Sequence, residues 1–208
     1  MVLVGAFLIY VLPPYLSLNP EESRVTLVPG FRIHYGVVLT HVFAGTLAQL
    51  TVCLQVWTWL RERHPKAHRI SGWIYVFGGV IPATLAGLVL SPFVVPHSGS
   101  VGTFVQGVLF IAVTIRGFVM GRQGRYPEHR RWMIYSFAFA LATIWGRIFN
   151  LVVFGLFPHA ITNLTVVSLV MEASTWIGWV ANLIIAQWWL ERTTNQPGWG
   201  AVRSSSPV

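Results

Sequence analysis

The stretch VVLTHVFAGTLAQLTVCLQVWTWL (residues 37–60) decides the fold, because it contains no acidic residue, lysine or arginine. An α-helix needs about 20 mostly apolar residues to cross the hydrocarbon of a bilayer. Trp57 and Trp59 lie at its end, where aromatic side chains anchor helices in the headgroup region. The stretch therefore predicts a membrane-spanning helix.

Similar apolar stretches lie on both sides of it. The predicted spans are roughly 2–18, 36–60, 70–95, 101–121, 132–157 and 164–190. Pro13 and Pro14 interrupt the first span, and Pro82 is expected to kink the third. We predict an all-α integral membrane bundle of about six helices. It forms a single transmembrane domain over residues 1–192, followed by a disordered cytoplasmic tail over residues 193–208.

The composition supports this fold class and excludes several functions. The chain is 54% hydrophobic and 10% charged, whereas soluble domains carry about 25% charged residues. It has no Asp, which excludes Asp-based diphosphate sites and a Ser-His-Asp triad. Its single cysteine, Cys53, excludes an internal disulfide, a cysteine-based zinc site and a Cys-x-x-Cys-His haem attachment.

The positive charge predicts the partners and the orientation. The net charge of +8 is concentrated at the edges of apolar segments, which favours anionic lipid headgroups and not nucleic acid. Loops 61–69 and 122–131 carry four basic residues each, whereas segment 19–35 carries two. Basic loops stay in the cytoplasm, so both loops are predicted there, and with six spans both termini as well. The predicted location is the cell membrane, crossed several times.

Polar side chains within the outer half of the spans form the first candidate site. Arg147 in the fifth span and Glu172 in the sixth are expected at similar depth, with His41 of the second span nearby. One interpretation is a buried ion pair that joins two helices. The other is a polar chamber in which Glu172 performs proton chemistry, with Arg147 keeping it ionised. Both interpretations stay open at this point.

Histidines at the inner edge form the second candidate site. His68-Arg69 opens the third span, and His129 opens the fifth, followed by Arg130 and Arg131. Arginines at a helix entrance are ordinary lipid anchors. Neutral imidazole is also an iron ligand, and arginine pairs with carboxylates such as haem propionates. We therefore treat His68 and His129 as candidate metal ligands, and the three arginines as candidate cofactor contacts.

A short spacing recurs in the two candidate sites. His41 is followed four positions later by Gly45, and His68 by Gly72. Residues at i and i+4 share one helix face, so each glycine leaves room beside an imidazole that a flat macrocycle could occupy. The alternative is that these glycines let neighbouring helices approach closely.

The order of the histidines suggests how they pair. His41 and His97 accompany the second and fourth spans, whereas His68 and His129 accompany the third and fifth. This alternation resembles the transmembrane cytochromes b that ascorbate reduces and, more loosely, the ferric reductases. The resemblance implies haem b, transmembrane electron transfer, and two bis-histidine sites on opposite faces of the membrane.

Residues 36–190 are also similar to a bacterial family of predicted membrane proteins of unknown function. The residues that carry this resemblance are His41, HRISGWIY (68–75), HRRWM (129–133), Arg147 and WIGWVANL (176–183). Trp73 departs from the pattern, where an arginine is expected after the glycine. The resemblance implies the topology and these residues, and it implies no activity.

Three functions remain open. The first is a haem-binding redox protein that uses His68 and His129, with His41 in an outer site. The second is a membrane-embedded enzyme acting on a small apolar, lipid or isoprenoid substrate, with Glu172 in proton chemistry. Its aromatic residues for cation–π contacts would be Trp145, Trp176 and Trp179. The third is a transporter or a structural partner of another membrane protein.

Overall fold

The structure is a computed structural model that describes residues 1–93 and 100–194. His97 and nearly all of the predicted tail at 193–208 lie outside the described residues. The prediction of a disordered tail, and the pairing of His41 with His97, therefore stay predictions.

The described part of the chain consists of helices, joined by turns and short 3₁₀ segments, and contains no strand. The helices are α1 (Val2–Val11), α2 (Pro13–Leu16), α3 (His34–Val56), α4 (Thr58–Arg63), α5 (Pro65–Trp73), α6 (Ile81–Leu90), α7 (Ser100–Arg122), α8 (Tyr126–Leu156) and α9 (Leu164–Thr194), with a π-helical segment at Ile74–Val80 between α5 and α6.

Five of the predicted spans are helices long and apolar enough to cross a membrane. They are His34–Val56, Pro65–Phe93, Val101–Arg122, Tyr126–Leu156 and Leu164–Thr193. Large apolar side chains such as Leu85 and Ile184 are more than half exposed on the outside of the bundle, where a bilayer would cover them. The all-α membrane bundle is confirmed.

The first predicted span is the shortest. Its helix α1 has 10 residues, which at 1.5 Å per residue is about 15 Å. It ends before Pro13 because proline has no N–H for the next helical hydrogen bond, and the chain continues as α2. Val4 and Leu8 of α1 pack against Ile144 of α8, so the short helix still belongs to the bundle.

The third span is interrupted by a π-helical turn before Pro82. The segment Ile74–Val80 is π-helical, and the N–H of Ile81 donates to the carbonyl of Val76, five residues back. Because Pro82 cannot donate a backbone hydrogen bond, the wider turn pairs carbonyls that a regular helix would leave without a partner. Pi-turns of this kind are frequent near functional sites.

Two glycines allow the backbones of neighbouring helices to approach closely. A Cβ on Gly79 would lie 2.9 Å from backbone atoms of Ala48 in α3. A Cβ on Gly178 in α9 would lie 2.7 Å from the carbonyl oxygen of Ala142 in α8. Lipid provides no hydrophobic driving force for helices to associate. Small residues at such crossings instead let the helices pack closely by van der Waals contact.

Buried polar side chains connect the spans. Tyr75, Ser136 and Thr114 form a chain of hydroxyl groups, with 2.7 Å between the Tyr75 and Ser136 oxygens and 2.7 Å between those of Ser136 and Thr114. Gln49 and Asn182 donate to the backbone carbonyls of α8 from opposite sides. The second to sixth spans are thus joined by hydrogen bonds as well as by packing.

Candidate functional site

His129 lies in the first turn of α8 and packs directly on α7. Its Nδ1 is 2.7 Å from the carbonyl oxygen of Gly117, and a Cβ on Gly121 would lie 2.8 Å from the same nitrogen. A carbonyl only accepts hydrogen bonds, so Nδ1 carries the proton. In the neutral ring, Nε2 therefore keeps its lone pair, as a metal ligand requires.

His68 lies in α5 at the same end of the bundle. It is partly buried, and its Nδ1 is buried with no hydrogen-bond partner among the described residues. His68 and His129 are 61 positions apart in sequence but lie at the same end of the bundle, since Tyr75 and Ser136, each seven residues further along, share a hydrogen bond.

The three arginines of this site lie at its rim. Arg69 and Arg131 are exposed, whereas Arg130 is partly buried. The guanidinium of Arg130 lies 5.3 Å from the ring of Trp189, and that of Arg131 lies 6.0 Å from the ring of Tyr135. Cation–π contacts of this kind hold cations beside aromatic side chains, as expected where a bundle meets headgroups.

The two His-x-x-x-Gly repeats differ in the space beside the glycine. A Cβ on Gly72 would lie 3.3 Å from Oε1 of Gln55, so the side chain of Gln55 fills the room beside His68. Gln55 also donates to the carbonyl of His68 and to the hydroxyl of Ser71. Nothing lies within 4 Å of the Cβ position at Gly45, so room exists beside His41 alone.

His41 of α3 is partly accessible, and its ring packs on α6. Its Nδ1 is 2.8 Å from the carbonyl oxygen of Ala83 in α6, and a Cβ on Gly87 would lie 3.1 Å from the imidazole. As at His129, the carbonyl partner places the proton on Nδ1 and leaves the Nε2 lone pair available.

The structure does not bring Arg147 and Glu172 into an ion pair. Within residues 1–93 and 100–194, the salt bridges are Arg61–Glu62 and Arg125–Glu128, both at the inner edge. Glu172 instead accepts a hydrogen bond from Nε1 of Trp176, at 2.7 Å. The two helices are neighbours as predicted, but Arg147 is exposed and Glu172 is partly buried.

A groove between α3 and α6 was not predicted from the sequence. Its volume is about 320 Å³. It is lined by Val37, Thr40, Pro82, Leu85, Ala86 and Val89. No pattern in the sequence predicts it, because the walls belong to two helices and look like ordinary lipid-facing residues. No group of three or more metal-ligating side chains occurs in the part of the chain that the structure describes.

These features define a polytopic membrane protein with polar groups near both ends of an apolar bundle. The chain matches a family model over residues 38–190, and it belongs to that family, described as predicted membrane protein (DUF2306). No curated protein and no solved structure matches the chain. The family description assigns no activity.

Proposed function

We propose that this protein is a membrane-bound redox protein that binds b-type haem between His68 and His129. The observation that supports the proposal most directly is the hydrogen bond from Nδ1 of His129 to the carbonyl of Gly117. Histidine ligands of metals almost always donate their second ring N–H in this way, which orients the ring and raises its basicity.

The donor chemistry of these residues suits the proposed group, although the side chain of Gln55 fills the room beside His68. His68 and His129 supply two imidazoles at the same end of the bundle, and imidazole suits iron. Arg69, Arg130 and Arg131 supply cations that bind carboxylates at the edge where propionates would emerge. A bound haem would contribute one-electron transfer, and the chain would orient the ligands and neutralise the propionates. The resemblance of the histidine order to the diheme cytochromes b points the same way.

A visible absorption spectrum tests this proposal. Protein purified from haem-supplemented cells is expected to show a Soret band that shifts on reduction. The His68→Ala and His129→Ala variants are expected to lose it, since each lacks an axial ligand. The matched control is His64→Ala, because His64 lies one helical turn from His68, is exposed and makes only an edge-on ring contact with Trp59. A folded, colourless wild-type protein would overturn the proposal.

One contact supports an alternative, an enzyme acting on a lipid or isoprenoid. Glu172 is held by the indole of Trp176, and the ring centroids of Trp176 and Trp179 lie 5.2 Å apart. A carboxylate and two neighbouring indoles could together stabilise a carbocation. Lipid extracts from cells that express the Glu172→Gln variant are the test: an unchanged product profile argues against this role.

A further inference from the structure

Arg116 is a charged residue within an apolar span, and neither candidate site uses it. It lies in α7, six residues before Arg122 at the inner end of that helix, which is about 9 Å of helix. Its side chain is exposed, and its neighbours Ile115 and Val119 are exposed apolar residues. Because a charge on the lipid-facing side of a span is costly unless a partner satisfies it, Arg116 needs an anion.

Trp132 of α8 holds the guanidinium of Arg116 near the level of the headgroups. The guanidinium lies 5.2 Å from the ring of Trp132, which is six residues after Tyr126 at the start of α8. A Cβ on Gly117 would lie 3.2 Å from the Cβ of Trp132, so α7 and α8 pack closely here. Tryptophan side chains concentrate where headgroups meet hydrocarbon, so the cation lies at a depth that a lipid phosphate can reach.

The described residues leave Arg116 without an anionic partner. Within residues 1–93 and 100–194 it makes no hydrogen bond and no ion pair. The glutamates at this end of the bundle contact other residues, in the pairs Glu62–Arg61, Glu128–Arg125 and Glu191–Gln187. No glutamate near the inner end is therefore left for Arg116, and a ligand can supply the anion.

We propose that Arg116 and Trp132 form a binding site for one anionic phospholipid in the leaflet at the turn between α7 and α8. The guanidinium binds the phosphate, since arginine pairs with phosphate oxygens through two parallel hydrogen bonds. The indole N–H of Trp132 is a second donor, and it makes no hydrogen bond with the described residues. Ile115 and Val119 contact the acyl chains, which a free phosphate lacks.

The surrounding charge favours an anionic lipid over a zwitterionic one. The loop at 122–131 next to the site carries four arginines, which attract negative headgroups. A zwitterionic headgroup would bring its own cation among them. The site differs from this general attraction because Arg116 lies within the span and is held against one ring. It does not depend on the haem proposed between His68 and His129.

The test uses the full-length protein in detergent, depleted of lipid and titrated with phosphatidylglycerol. Native mass spectrometry counts the bound lipids, and one is expected on the wild-type protein. Phosphatidylcholine with the same acyl chains is expected to bind about tenfold more weakly. Arg116→Gln is expected to weaken phosphatidylglycerol binding about tenfold, since it removes a charge-assisted pair. Because Arg116 is exposed, this variant should unfold at the wild-type temperature.

Matched variants separate a site from general attraction to positive charge. Arg63→Gln removes an exposed arginine of α4 at the same end and is expected to bind normally. Trp132→Leu is expected to weaken binding without changing the charge, whereas Trp57→Leu, at the inner end of α3 and 45% exposed, is not. Equal losses within either pair would overturn the proposal. So would displacement of the lipid by inorganic phosphate, because the acyl chains would then contribute nothing.

Discussion

The hydrogen bonds among the hydroxyl groups of Tyr75, Ser136 and Thr114 have one possible direction, because each hydroxyl has a single proton to donate. Thr114 is 2.7 Å from the carbonyl of Phe110, which only accepts, so the Thr114 proton is used there. Ser136 must then donate to Thr114, and Tyr75 must donate to Ser136. Tyr75 is 1% exposed and the other two hydroxyls are 0% exposed. At this scale, the tyrosine of HRISGWIY is part of the packing of three spans.

Because these hydrogen bonds run in one direction, removing different hydroxyl groups is expected to lower the free energy of unfolding by different amounts. Ser136→Ala is expected to lower the free energy of unfolding by about 1–3 kcal/mol, because it leaves the Tyr75 donor buried without an acceptor. Tyr75→Phe is expected to cost less, since Ser136 loses a donor but keeps its own proton paired. Thermal or denaturant unfolding in detergent measures both.

The double variant checks the coupling. In the Ser136→Ala background, Tyr75→Phe is expected to be nearly neutral or stabilising, because it removes the unsatisfied donor. Tyr126→Phe is the control, since Tyr126 is 70% exposed and should change nothing. Additive costs of the two substitutions would contradict the directed chain.

At the scale of the helices, the glycines have separate roles that sequence spacing does not distinguish. Gly79 is needed where the third span crosses α3 at Ala48, whereas Gly45 faces open space. Both lie in apolar helical segments and look alike in the sequence. Whether each glycine can be replaced by a larger residue depends on its contact with another helix, and not on its position along its own helix.

A matched pair of substitutions tests this difference. Gly79→Ala is expected to destabilise the bundle by about 1–3 kcal/mol, because the new methyl group forces α3 and the π-helical segment apart. Gly45→Ala is expected to be neutral or stabilising by up to about 1 kcal/mol, since alanine favours helix. Unfolding of both variants in the same detergent gives the comparison, and similar losses of stability would show that the crossing at Ala48 is not a tight contact.

For the whole molecule, the orientation in the membrane rests on charge. Five helices are long and apolar enough to cross a membrane, and five crossings would put the segment before α3 and the end of α9 on opposite sides. The charge of the loops predicts that the end of α9 and the loops at 61–69 and 122–131 are cytoplasmic. The side of the N-terminus depends on whether the short α1 crosses, and its cytoplasmic location stays a prediction.

Cysteine labelling in intact cells checks this orientation. In a Cys53→Ser background, a membrane-impermeant maleimide is expected to label Ile161→Cys and to leave Glu62→Cys and Gln123→Cys unlabelled until the cells are opened. All three positions are exposed, so access depends on the side of the membrane alone. The reverse pattern would show that the bundle is inserted the other way.

The span boundaries were predictable because hydrophobicity is local: each long helix needs only its own run of apolar residues. The first span was predicted too long because Pro13 stops α1, although the interruption itself was visible. The ion pair of Arg147 with Glu172 was one of two interpretations, and it was inferred from similar depth in two spans that a short loop joins. Depth does not determine which way a side chain points around its helix, and Arg147 is exposed in the structure.

By itself, the sequence determined the membrane class, the long spans and the residues worth testing, because transfer of apolar and charged groups between water and lipid is a property of each residue. Only the tertiary structure decided the hydrogen bonds of His41 and His129, the filling of the space at Gly72 by Gln55, and the groove between α3 and α6. These features depend on how helices rotate and cross, which is set by packing between residues far apart in the chain.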